Sequence, residues 1–321
     1  MTRPGLALVM LGCLLSAGNA SAEVSQDPAY WFKRSAEAAQ TVNFDGHCVY
    51  INDGKMSTLK VVHRIENGKA IEHVVHVNGP SVQLEHRDGE LQILPGQGDS
   101  RVEQKLDGLP LSPRLAESAE KLQRNYDIKI AGTDRVAERV TVRMEITPKD
   151  EHRFGQRFWF DEKTGLLLRS MVFDATGQAL EIFEFVSLQA ESADGKPLPD
   201  PAKADAAPVV PETLTSPWTV GWLPAGFALV GTDKRVLRPN TPPAIASVYS
   251  DGLASFTVFF EKNEPIKHGR NVQRGATVAL TRYAGTTPSD YWITLVGEVP
   301  MATASSVLNS FKPPITRESA P

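Results

Sequence analysis

The chain has 321 residues, with 34 Lys and Arg against 38 Asp and Glu, for a formal net charge of −4. That balance supplies no basic face and argues against a nucleic-acid partner. The length suggests two domains. Of the two cysteines, Cys13 and Cys48, the first falls in an apparent leader, so an internal disulfide is excluded and stability has to come from core burial.

The leader comes first. Thr2 and Arg3 form a basic start, Leu6 to Leu15 an apolar stretch, and Ala20-Ser21-Ala22 a small-residue cleavage pattern. Residues 1–22 therefore read as a signal peptide cut after Ala22, which places the mature protein in the periplasm with a net charge of −5 once Arg3 is gone. The apolar run is short for a bilayer span. A retained anchor is the alternative, as is a lipoprotein box through Leu11-Gly12-Cys13, for which Met10 is a poor opening residue.

Residues 23–189 form the first domain. Asp27 and Pro28 mark a helix start, with Trp31, Phe32, Ala36 and Ala39 as its apolar stripe and Asn43-Phe44-Asp45-Gly46 as its end. Hairpins follow, with turns at Asn52-Asp53-Gly54, Glu66-Asn67-Gly68, Asn78-Gly79-Pro80 and Arg87-Asp88-Gly89. Leu59, Val61, His63 and Ile65 share one face of an antiparallel meander. Segment 112–126 reads as a helix, and strands are expected at 135–147, 153–161, 166–174 and 179–188. In these later strands Phe158 and Phe160 point one way and Trp159 the other, and Leu180 and Ile182 oppose Phe183 and Phe185. Strands apolar on both faces need cover on both, from protein or from a ligand.

Residues 190–216 carry Pro197, Pro199, Pro201, Pro208 and Pro211, which break regular structure and read as a linker. The second domain, 217–315, opens near Trp218. It has expected strands at 227–237, 245–250, 254–261, 275–283 and 291–298, then a short helix with Thr303 as N-cap and Val307, Leu308 and Phe311 buried. Residues 316–321 are a tail. The fold class is α+β: an antiparallel first domain with helices and a small α+β second domain.

No catalytic motif is present: no GxSxG, HExxH, CxxC or phosphate-binding glycine loop. The chain reads as a binding protein rather than an enzyme, without a cofactor or metal. Cys48, within His47-Cys48-Val49-Tyr50-Ile51, is either a small buried hydrophobe or a reactive thiol. His47, His63, His73 and His86 lie in phase with the apolar residues of their strands. They are either ordinary strand histidines, a metal site or a pH switch.

Several stretches together resemble the RseB/MucB family of periplasmic sigma-factor regulators. In the first domain these are Ile146-Thr147-Pro148-Lys149-Asp150 with His152, Arg153 and Phe154; Asp161 to Ser170; and Leu180-Glu181-Ile182-Phe183-Glu184-Phe185. In the second they are Trp222-Leu223-Pro224-Ala225-Gly226-Phe227, Tyr249 to Leu253 with Phe256, and Val296-Gly297-Glu298-Val299-Pro300 with Thr303-Ala304. Segment 92–111 matches poorly.

The resemblance implies a first domain like the lipoprotein carriers LolA and LolB, an unclosed half-barrel around helices. It implies a second domain that provides much of the contact with the periplasmic region of a membrane anti-sigma factor, and a protein that shields this factor from proteolysis and releases it when lipid or lipopolysaccharide binds. Homodimers or larger assemblies are also implied. On this reading Trp159, Phe173, Phe183 and Phe185 line a lipid groove, and Tyr249, Ser250, Asp251, Gly252 and Phe256 touch the partner. A lipid or lipoprotein carrier is the alternative function.

Overall fold

A computed structural model describes residues 24–78, 83–87, 90–94, 119–192, 218–237, 241–262, 271–284 and 291–312. The leader, the proline-rich stretch from 193, the Gly79-Pro80 and Asp88-Gly89 turn residues, the first part of the 112–126 helix and the tail lie outside the described residues.

Helix α1 (Pro28–Thr41) starts as its sequence dictates. Asp27 accepts a hydrogen bond from the Ala29 amide, with Pro28 in the first turn. Its buried stripe is Trp31, Phe32, Ser35 and Ala38, one residue around from the expected Ala36 and Ala39. Nor does Asn43-Phe44-Asp45-Gly46 end it in a turn. The chain passes directly into β1 (Val42–Asn52), and Gly46 is a strand residue because the Phe185 ring lies where a Cβ would be, 2.6 Å away.

Strands β2 (Lys55–Glu66), β3 (Lys69–His76), β4 (Gln83–Arg87) and β5 (Glu90–Leu94) form the expected meander. Its first two turns have two consecutive positive-φ residues each, Asp53-Gly54 and Asn67-Gly68, the geometry that matches strand twist. The short helix α2 (Ala119–Leu122) precedes β6 (Tyr126–Val136), β7 (Arg139–Pro148), β8 (Gly155–Asp161), β9 (Leu167–Phe173) and β10 (Ala179–Ser192). Strand β6 was hidden in sequence. It is joined to β7 by Ala137 and Glu138, both at positive φ, a turn without the glycine or asparagine that would signal it.

The ten strands make one antiparallel sheet in the order β5-β4-β3-β2-β1-β10-β9-β8-β7-β6. Its two end strands are not neighbours, so the sheet is an open half-barrel. Helix α1 packs on one face, which we call the inner face, where Trp31 and Phe32 meet Phe158 and Phe160.

The second domain contains β11 (Ala228–Arg235), β12 (Ala244–Ser250), β13 (Ser255–Lys262), β14 (Val272–Arg274), β15 (Thr277–Ala284) and β16 (Tyr291–Gly297), followed by α3 (Met301–Ser310). The sheet order is β11-β12-β13-β16-β15-β14. Ala304, Val307 and Leu308 of α3 pack with Phe256, Val258, Phe260, Ile293 and Leu295, and Trp218 stacks on Phe260 at 5.2 Å. Thr303 is not the N-cap, a position taken by Pro300; its hydroxyl is used elsewhere.

Candidate functional site

Strand register places each aromatic residue of the expected groove. Phe183 lies opposite Ser170, and Ser170 opposite Phe158, so Phe183 shares the inner face with Phe158. Phe183 and Phe185 meet edge to face at 5.1 Å, Phe44 adds to them at 5.8 Å, and both are wholly buried. Trp159 pairs with Arg143 on one side and Arg169 on the other, which puts it on the outer face. Its indole N–H donates to Asp134 Oδ2 at 2.7 Å, and the Arg169 guanidinium sits 4.4 Å above the ring. Arg143 donates to the same Asp134 oxygen at 3.0 Å, and Arg169 pairs with Glu184. Phe173 is also on the outer face, opposite Gly155 and 4.7 Å from the Arg157 guanidinium. The outer face is thus mostly charged, with Trp159 and Phe173 as apolar residues among Arg143, Arg157, Arg169 and Glu184. Long arginine side chains cover it, so the four residues do not share one surface.

Tyr249 and Phe256 stack on each other at 5.2 Å inside the second domain's core. Burial raises the Tyr249 phenol to about 12. Ser250 ends β12, and Asp251 and Gly252 open the connection to β13. The Ser250 hydroxyl accepts from the Gly252 amide and donates to the Ala254 carbonyl, and Asp251 Oδ1 accepts from the Leu253 and Ala254 amides. Gly252 has φ +99, which favours glycine.

The other Asp251 oxygen points into the first domain. It accepts from the Tyr126 hydroxyl at 2.8 Å and from Arg153 Nη1 at 2.5 Å. Both side chains of the Arg153–Asp251 pair are fully buried. Arg153 also makes a two-pronged pair with Asp150, donates to the Ala225 carbonyl at 2.6 Å, and lies 5.3 Å from the rings of Tyr126 and Phe227. Burial, then the Asp251 charge, push the Tyr126 phenol far above its ordinary range, so it remains a donor. Beside this hub His152 contacts the Thr303 hydroxyl at 3.2 Å and the Trp222 ring edge-on at 5.2 Å. Gly226, at φ +85, packs so closely on Asn125 that a Cβ would overlap it.

Three sequence stretches that carry the family resemblance thus converge on one place. Asp150 to Arg153, Trp222 to Phe227, and Asp251 are far apart in the chain and form a single charged, buried junction between the domains. Sequence reasoning noted each stretch and missed their meeting. The one available signal was Asp150 and Arg153 followed by an apolar strand, where an arginine invites a distant acid.

The histidines divide. His63 is buried, stacked parallel to Phe44 at 4.8 Å, with Nδ1 3.2 Å from Glu72 and Nε2 3.0 Å from the Ala39 carbonyl of α1. His73 lies 3.5 Å from Glu85, and His47 3.4 Å from the Ser187 hydroxyl. His86 is opposite Glu72 in the β3–β4 register. Acidic partners thus face His63 and His73 across strands, where spacing along one strand could not reveal them. Among the described residues no three His, Cys, Asp or Glu side chains are grouped to hold a metal ion. Cys48 is a buried free thiol, raised by burial to about 12.

Among the described residues no helix is long and apolar enough to cross a membrane. Comparison with known proteins places this architecture. The MucB/RseB N-terminal domain family matches residues 27–210 and the MucB/RseB C-terminal domain family residues 212–312. The sigma factor AlgU regulatory protein MucB of Pseudomonas aeruginosa is 33% identical over 95% of this chain and 96% of its own length. The sigma-E factor regulatory protein RseB of Escherichia coli K12 is 26% identical over 95% and 96%. A crystal structure of MucB in complex with MucA(peri) matches 89% of this chain and 99% of that one, with a TM-score of 0.67 and 32% identity. On its sequence and on both of its domains, the chain belongs to the MucB/RseB family.

Proposed function

We propose that this protein is a periplasmic negative regulator of an envelope-stress sigma factor, without catalytic activity of its own. It binds the periplasmic region of a membrane anti-sigma factor, shields that region from proteolysis, and releases it when lipid or lipopolysaccharide acyl chains occupy the first domain. The observation that carries this reading is the match, over both domains, to MucB in its complex with MucA(peri).

The open half-barrel supports the lipid half of the proposal. An unclosed sheet with Phe183 and Phe185 in the core of its inner face offers an apolar interior that an acyl chain would enter by displacing side chains already packed there. Each buried methylene contributes ~0.8 kcal/mol, so one long chain contributes about 10 kcal/mol before costs. Moving a two-state equilibrium decisively needs a differential affinity of about 5 kcal/mol. Lipid therefore suffices to drive release, provided it binds the partner-free form better.

The second domain's Tyr249 to Phe256 segment acts on the partner by setting how the domains sit. Tyr249 and Phe256 anchor the core beneath it, and Asp251 ties it to Arg153. Self-association into homodimers or larger assemblies belongs to the same proposal.

The test is protection of the anti-sigma periplasmic fragment from digestion by purified protein, with and without lipopolysaccharide. The expected result is slow digestion that lipopolysaccharide restores to its unprotected rate. Digestion that proceeds equally fast with and without the protein overturns the regulator. Protection that saturating lipopolysaccharide leaves unchanged overturns the lipid trigger.

A further inference from the structure

The domains meet at a second place, of opposite electrostatic character to the hub. The turn between β14 and β15 approaches β10 and the end of β1 so closely that a Cβ on Gly275, at φ +55, would stand 2.6 Å from both Asn52 Oδ1 and the Leu180 carbonyl oxygen. The residue after Leu180 is Glu181, only 8% exposed. Its carboxylate accepts from Asn52 Nδ2 at 3.3 Å, and the same amide donates to the Tyr50 hydroxyl at 2.9 Å. From the second domain Glu298, directly after β16, acts on this carboxylate and on Tyr50. The titratable groups acting on Glu181 are Tyr50 from β1 and Glu298 from the other domain, and the same turn carries the exposed Arg274 directly before Gly275. Its neighbour on β9 is the uncharged Val172.

At the hub, Arg153 stands against Asp251 and Asp150, and attraction holds the domains together. At this second contact the buried Glu181 carboxyl is tied through Asn52 to the Gly275 turn of the other domain and feels the negative charge of Glu298. Like charges so placed cannot both ionise without cost.

We propose that this edge of the junction is a proton-operated clasp: with Glu181 protonated the second domain closes onto β10, and ionisation of Glu181 against Glu298 swings that edge open about the Arg153–Asp251 pivot. Burial, and the Glu298 charge after it, raise the Glu181 carboxyl to about 8. A carboxyl raised above its ordinary value holds a proton in the closed state that it loses in the open one. Closure is therefore strongest in acid and weakens as pH climbs from the ordinary carboxylate range to about 8. The slope is at most about tenfold per pH unit, the limit for one proton. The clasp is independent of which partner the protein binds.

The experiment uses the full mature chain with donor and acceptor dyes on the exposed positions Lys60→Cys and Lys234→Cys, read by energy transfer between pH 5 and 9. Transfer should change between pH 5 and about 8 and then level off. Glu181→Gln should hold the acid value throughout, and Glu298→Gln should shrink the change and let it level off at lower pH, since without that charge the closed-state Glu181 carboxyl is raised less. A flat profile in the unsubstituted protein overturns the proposal, as does an unaltered profile in Glu181→Gln. If Glu181→Gln fails to fold, an unaltered profile in Glu298→Gln overturns it instead.

Discussion

Asp251 divides its two carboxylate oxygens between two domains. One closes its own turn on the Leu253 and Ala254 amides, and the other receives Tyr126 and Arg153 from across the junction. A single residue therefore couples the shape of the β12–β13 turn to the docking of the half-barrel. Removing one member of a buried pair leaves the other charge without compensation. Asp251→Asn and Arg153→Met are each expected to destabilise the protein by about 3–5 kcal/mol in urea denaturation. The double substitution should cost less than the two singles together, by at least ~1 kcal/mol. Strict additivity would show that the two residues are not coupled.

The inner and outer faces should respond differently to truncation. Phe183 is fully enclosed by Phe185 and the surrounding core, and Phe183→Ala is expected to cost ~3–5 kcal/mol. Phe173 sits half-buried at a strand end against Gly155 and Arg157. Phe173→Ala should therefore cost well under half as much, by roughly the smaller apolar area it covers. Equal losses at the two positions would contradict the split between the faces.

Cys48 gives a kinetic prediction. Its thiol is buried and raised to about 12, and the thiolate is the reactive form. At pH 8 an aromatic disulfide reagent should modify the native protein no faster than the domain unfolds. Labelling that outpaces unfolding would restore the reactive-thiol alternative.

Two turn glycines separate backbone strain from crowding. Gly54 and Gly165 have φ +70 and +81, but only Gly165 is crowded, with Arg34 Cγ 2.5 Å and the Arg34 carbonyl oxygen 2.9 Å from a would-be Cβ. Gly54→Ala is expected to cost about 1 kcal/mol, from backbone conformation alone. Gly165→Ala should cost more, up to ~3 kcal/mol, because α1 has to shift as well. Thermal denaturation of both variants checks the order.

Much of the fold was legible because local chemistry announced it. Asp27-Pro28 marks the helix start, Asp53-Gly54 and Asn67-Gly68 mark the hairpins, and the Phe158-Trp159-Phe160 run marks a strand with aromatic residues on both faces. The missed features were those whose cause lies far along the chain. Gly46 reads as a helix stop, yet it is a strand residue kept small by Phe185. The Ala137-Glu138 turn carries no turn-forming residue, so β6 merged with its surroundings. Asp251 reads as a loop acid because its partner, Arg153, lies 98 positions earlier. The candidate site was legible as pieces, and its assembly depended on tertiary contacts that no local pattern encodes.

The strand order has a consequence for how such a chain is made. β1 lies beside β10, with Val42 opposite Ser192, so the middle of the half-barrel is sewn from the domain's first strand and its last. Pairings this distant in sequence form slowly, and here the central one has to wait until nearly the whole domain has been delivered. Whatever route delivers it, a chain that emerges one segment at a time cannot complete this sheet early.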